Sequence, residues 1–208
     1  MNKKTVLIKK VLVACVGILL VGIGVSFNAM AGLGNDPVGI FYDGMRNAFG
    51  LSKTQLGAAS NMVNILLLII LFLTGRRYLN LGTLVNLLFY GTCVSVGTGI
   101  YTHIFPQEKI LVFQILASTA GCLLLYTGVA IFISMDIGMD AMTGLTMVLK
   151  DRLRCEFKIA KWIFDGTVVL IGFLAGGKIG VITVITAITA GPAIQFIAEK
   201  ITAIKKDI

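Results

Sequence analysis

Charge is what this chain has least of. Only 13% of its 208 residues are Asp, Glu, Lys or Arg, ten acids stand against eighteen bases, and 57% are hydrophobic, for a mean hydropathy of +0.93. A soluble domain carries about 25% charged residues, so this composition excludes a water-soluble fold and places the chain in a bilayer. Histidine occurs once, as His103 at the end of an apolar run. An imidazole there serves as an interfacial polar group or as a proton carrier. Cys15, Cys93, Cys122 and Cys155 have no metal-ligand spacing, and three of them lie within apolar runs, which argues against a zinc site or a disulfide framework. No nucleophile motif, HExxH sequence or phosphate loop is present. An enzyme is therefore not expected, and neither a cofactor nor a bound metal is implied.

What is present is a set of apolar runs. Crossing the hydrocarbon core takes roughly 17 to 25 residues, and six runs qualify: 11–33, 56–74, 81–104, 110–135, 159–175 and 180–198. The last two are separated only by a glycine-rich stretch, so one long broken helix or two helices fit equally well. With the N-terminus in the cytoplasm, fourteen of the eighteen lysines and arginines fall on the inner side, and Arg46, Lys53, Lys109 and Lys178 on the outer side. That bias is the positive-inside pattern for six spans with both termini cytoplasmic in a bacterial plasma membrane. The formal charge of +8 flanks the spans rather than gathering with aromatics on one face. It therefore suits anionic lipid headgroups at the cytoplasmic face and not nucleic acid.

The second half repeats the first at an offset of 104. Gly17 answers to Gly121, Gly24 to Gly128, Gly34 to Gly138, Asp36 to Asp140, Arg46-Asn47 to Lys150-Asp151 and Asn61 to Asp165. The chain thus reads as one membrane domain, 1–208, made of pseudo-repeats 1–104 and 105–208. Three spans per half make the repeats inverted, a construction common among small carriers. The fold class expected is all-α: six transmembrane helices in two inverted three-helix repeats, each with a short amphipathic helix after its first span. Those short helices are expected at 37–49 and 141–153, where apolar residues recur at helical spacing, lying in or dipping into the interface.

Polar groups placed where lipid penalises them are the candidate site. Gly34-Asn35-Asp36-Pro37 ends the first span and Gly138-Met139-Asp140-Ala141 ends the fourth. Asp caps helices well and Pro suits the first helical position, so both motifs suit plain capping. They equally suit helix breaks whose free backbone groups face a cavity between the halves, ready for an anion, a cation or a proton. Asp165 lies inside the fifth run, about 9 Å from its start at the helical rise. It either pairs locally with Lys161 one turn back or serves as a functional carboxylate. Asn61 is its counterpart, and Asn86 opens the third span. Asp165, Asn61, Asp36, Asp140 and Asn86 are the candidates for binding a substrate or coupling ion, with Gly34, Pro37 and Gly138 making the breaks.

The string 32–37, Gly-Leu-Gly-Asn-Asp-Pro, then Leu81-Gly82-Thr83-Leu84-Val85-Asn86, Gly176-Gly177 through Gly180, and Gly191-Pro192 together resemble the YczE/YyaS/YitT group of bacterial membrane proteins over nearly the whole chain. The resemblance implies a polytopic plasma-membrane protein and supplies no substrate. Two departures, Ala141 in place of Pro37 and Val181 after Gly180 where Thr83 follows Gly82, weaken the symmetry of the second site. The function expected is a secondary carrier for an unknown small-molecule substrate, alternating access around a site between the repeats. The alternatives are a substrate-capturing subunit of an energy-coupling transporter, or a regulatory or assembly protein that transports nothing.

Overall fold

The structure, a computed structural model, describes residues 3–105, 110–155 and 157–206. Lys109, assigned above to the outer side, lies outside them. Among the described residues regular structure is helical throughout: α1 Lys3–Ala31, α2 Pro37–Ala48, α3 Leu56–Thr74, α4 Leu81–Ile104, α5 Leu111–Ser134, α6 Ala141–Leu153, α7 Phe157–Leu174 and α8 Val181–Lys206.

Five of these, α1, α3, α4, α5 and α8, are long and apolar enough to cross a membrane. The run at 159–175 does not join them. Its helix, α7, has 18 residues and contains Lys158, Lys161 and Asp165, and three charges in so short a length outweigh the apolar remainder. By length and composition five of the described helices qualify, against the six runs expected. The glycine stretch at 176–180 separates two helices, α7 and α8, and does not bend a single one.

The solvation pattern is that of a molecule in lipid. Leu73, Leu174 and Ile188 are 74%, 76% and 70% exposed, whereas Ser26, Asn28, Ser60 and Ser118 are fully buried. Lipid tails give no hydrophobic drive for helices to associate, so close approach at small residues and interhelical hydrogen bonds must hold them. The central pair, α1 and α5, relies on both. Gly17 faces Gly128 and Gly24 faces Gly121, and a Cβ on Gly17 would stand 2.8 Å from the Gly128 carbonyl oxygen. Because one number rises as the other falls, the two helices run antiparallel. Glycines seven apart return to the same helix face after two turns, so each helix presents two notches to the other. On its opposite side α1 meets α4, where the Ser26 hydroxyl reaches the Val94 carbonyl at 2.6 Å.

Helices α4, α1, α5 and α8 pack in that order as a row, while α2, α3, α6 and α7 close into a ring, α2 touching α3 and α7, and α6 touching the same two. The two short helices are thus packed among other helices and not left on one side of the molecule. Ile40, Phe41 and Tyr42 of α2 are buried, and a Cβ on Gly44 would meet the Gly172 Cα of α7 at 2.7 Å. The apolar faces of α2 and α6 turn inward because each helix finds glycine notches and aliphatic walls on α3 and α7 to fill.

Candidate functional site

Each helix break is built by glycine and pinned by the other half. Gly34 has φ +107° and Gly138 φ +127°, conformations that L side chains rarely adopt. A break exposes carbonyls that a buried site must satisfy. The Leu33 carbonyl accepts from Ile182 N at 3.1 Å, and its counterpart, the Ile137 carbonyl, accepts from Gly82 N at 2.9 Å. The Thr83 hydroxyl adds a bond to the Met139 carbonyl at 2.6 Å. Thus the start of α8 docks on the break of the first half, and the start of α4 docks on the break of the second. Thr183, whose hydroxyl accepts from Gly180 N at 3.1 Å, stands against Gly34. The threonine missing after Gly180 is present two residues later, so the sequence departure at Val181 is a shift of register from 104 to 100 and not a loss.

After its break the chain turns back along α1. Asn35 donates through Nδ2 to the Val25 carbonyl at 3.2 Å, and its Oδ1 accepts from Asp36 N at 3.0 Å. This holds Asp36, and hence the start of α2, level with the middle of the molecule. Asp36 Oδ2 caps α2 by accepting from Val38 N at 3.2 Å, and Pro37 takes the first helical position. The other oxygen, Oδ1, is buried with no hydrogen-bond partner. Asp140 differs: Thr143 N donates to Oδ2 at 3.2 Å and the Thr143 hydroxyl to Oδ1 at 2.6 Å. One aspartate has a spare acceptor while its repeat-mate has none.

Next to Asp36 stands a polar group that the sequence did not announce. The Tyr42 hydroxyl donates to Asn64 Oδ1 at 2.7 Å, its ring lies 5.5 Å from that of Tyr90, and both tyrosines are within electrostatic reach of Asp36 and Asp140. Asn64 is 4% exposed and its Nδ2 is unpartnered. Lys161 and Asp165 form an ion pair with each other, the local pairing foreseen for Asp165, and both act electrostatically on Asp36. Asp36, Asp140, Tyr42, Tyr90 and Asn64 thus come together, with the Lys161–Asp165 pair at their edge. Asn61 is engaged elsewhere. Asn61 Oδ1 accepts from Gly91 N at 3.1 Å and fills the notch of that glycine between α3 and α4, and Asn86 is half-buried on α4. Among the described residues no three His, Cys, Asp or Glu side chains gather as a metal site would require.

A cavity of about 320 Å³ lies on the far side of α2, lined by Asn28, Gly34, Asn35, Asp43, Arg46, Asn47, Lys53 and Lys178 among others. Its wall includes three of the four basic residues assigned to the outer face. At the opposite end of the molecule Asp151 accepts from both Arg77 and the Tyr78 hydroxyl. These bonds hold the Asp151 carboxyl below its ordinary range, the tyrosine hydroxyl contributing most.

With this geometry established, comparison places the chain. A model for a family of unknown function, DUF6198, matches residues 8–199. The chain belongs to that family. Members similar to it include an uncharacterized protein of Haemophilus influenzae, 25% identical over 85% of this chain and 78% of the relative. The uncharacterized membrane protein YczE of Bacillus subtilis is 25% identical over 86% of this chain and 81% of its own length. The uncharacterized protein YyaS of the same organism is 22% identical over 85% and 86%. The YczE and YyaS likeness read from the glycine motifs is thereby borne out. No solved structure matches the chain. Both breaks, the Tyr42–Asn64–Tyr90 group and the cavity lie inside the stretch matched to DUF6198.

Proposed function

We propose that this DUF6198 member is a small-molecule carrier of the plasma membrane, not an enzyme, in which two inverted three-helix halves expose a shared polar site alternately to either side. The observation that carries this reading is the reciprocity of the packing. Gly17 against Gly128 and Gly24 against Gly121 exchange places under the 104-residue offset, and each half's break accepts a hydrogen bond from the last helix of the other. A two-fold operation that swaps antiparallel helices has its axis perpendicular to them, and for helices crossing a membrane that axis lies in the membrane plane. In this reading α7 is the sixth span, its Lys161 and Asp165 neutralising each other so that neither charge meets lipid alone. Helices α2 and α6 are half-helices with their N-termini near the centre. Asp36 and Asn64, each holding an unpartnered buried polar atom, are the groups placed to meet a substrate or coupling ion there.

Inversion is tested at Ala48 and Arg152, equivalent under the offset and both exposed. With the native cysteines replaced, Ala48→Cys should react with a membrane-impermeant maleimide in intact cells, and Arg152→Cys only after permeabilisation. Labelling of both positions from one side would remove the inverted arrangement and the carrier reading with it.

A further inference from the structure

The cavity beside α2 has the chemistry of an anion site. Arg46 is only 8% exposed and is fixed in place: its Nε donates to Asp43 at 2.9 Å and its Nη1 to the Leu51 carbonyl at 2.6 Å. Neither bond uses Nη2, and a guanidinium held on two sides presents its remaining donors at little entropic cost. Asp43 pairs with Arg46, and Lys178 adds a positive charge and Asn47 an amide to the wall. Arg46 and Lys53 belong to the first half, whereas Lys178 lies between α7 and α8 in the second. Across this corner Asn47 Nδ2 reaches the Ala175 carbonyl at 3.5 Å, long for a hydrogen bond.

We propose that the outer cavity binds a small anion, a carboxylate- or phosphate-bearing solute, between Arg46 of one half and Lys178 of the other. Its volume of about 320 Å³ is at the lower end of ligand pockets, which suits a solute of a few carbon atoms. An anion seated there bridges side chains of the two halves, so binding favours closure of that corner. This names the substrate class of the carrier and rests on that reading for the closure step; occupancy of the cavity does not depend on it.

The test is isothermal titration of the purified full chain in neutral detergent with succinate and with inorganic phosphate, mannitol serving as the uncharged control. Saturable binding of either anion is expected, weakened by salt, absent for mannitol, and about tenfold weaker in Lys178→Gln, consistent with loss of one charge-assisted bond. Lys178 sits on an exposed loop, so this variant should fold even where Arg46→Gln does not. Native mass spectrometry separates the sources: retained phosphatidylglycerol that phosphate displaces identifies a lipid headgroup as the occupant, and its absence identifies a free solute. Failure of both anions to bind with no lipid retained, or binding unchanged by Lys178→Gln, overturns the site. Anion binding in a protein whose positions 48 and 152 label from one side would keep the site and discard the carrier.

Discussion

Asn47 and Asp151 occupy equivalent positions in the two repeats, yet the corners they close are built differently. At one end Asp151 is gripped by an arginine and a tyrosine of the chain between α3 and α4. At the other, Asn47 reaches the chain between α7 and α8 through one 3.5 Å contact, beside a cavity with three basic residues in its wall. The outer corner also packs backbone to backbone, a Cβ on Gly177 standing 2.6 Å from the Ile40 carbonyl oxygen, whereas the inner corner is joined through side chains. On the proposed carrier reading, the ion-paired corner is the cytoplasmic one.

The largest effect should come from the pivot both corners share. Gly17→Ala places a methyl group 2.8 Å from the Gly128 carbonyl oxygen, whereas a Cβ on Gly99 meets nothing within 4 Å. Gly17→Ala should lose about 1–3 kcal/mol of stability through overpacking, and Gly99→Ala should gain up to about 1 kcal/mol of helix propensity. Thermal unfolding in detergent compares the two, and equal behaviour would mean that α1 and α5 are not in tight contact. The two caps come next. In Asp140→Asn the amide oxygen keeps the bond from Thr143 N and the amide nitrogen donates to the Thr143 hydroxyl, so two charge-assisted bonds become neutral ones, a loss of about 1 kcal/mol. Asp36→Asn keeps its bond to Val38 and should stay within about 0.5 kcal/mol of the parent. Reversal of that order would place the spare acceptor in the wrong half.

Smaller effects probe the latch. Val148 packs over Gly75 just inside it, so Val148→Cys reports its opening. Adding Asp151→Asn should raise the maleimide reactivity of that cysteine while leaving the unfolding temperature nearly unchanged, because the Arg77–Asp151 pair is exposed. The least effect is expected from acid. A carboxyl held below its ordinary value of 3.8 contributes stability that is present above that value and is lost as the pH falls through the lower folded-state value. The distance between spin labels at 76 and 152 should therefore lengthen only below about pH 3.8, and not at all in Asp151→Asn, which lacks the titrating group.

The two breaks were legible because their glycines and aspartates are local necessities: φ of +107° and +127° favours glycine, and a helix start favours Asp. The inward packing of α2 and α6 was not, since amphipathic spacing gives the width of an apolar face and not what it meets. Tyr42, Asn64 and Tyr90 were overlooked for the same reason. They come from three different helices, and no periodicity links positions 22 and 26 residues apart. Asn61 was promoted by its match to Asp165, but its amide caps the Gly91 notch. Thr183 was missed because a fixed offset cannot follow a register that slips by four between the loops. Five helices qualify where six runs were read, α7 making the difference, because Lys161 and Asp165 pair with each other in space but still count as two charges by composition.

The central claim is that the two corners open in opposition. Paired spin labels at 48 and 179 span the outer corner and labels at 76 and 152 the inner one, all exposed positions, and pulsed electron resonance reads both distances in a cysteine-replaced background. Releasing the latch with Arg77→Ala and Tyr78→Phe should lengthen the inner distance and shorten the outer one in the same preparation. An inner distance that lengthens while the outer stays fixed or lengthens with it would contradict alternating access, and the latch would be only a local clasp.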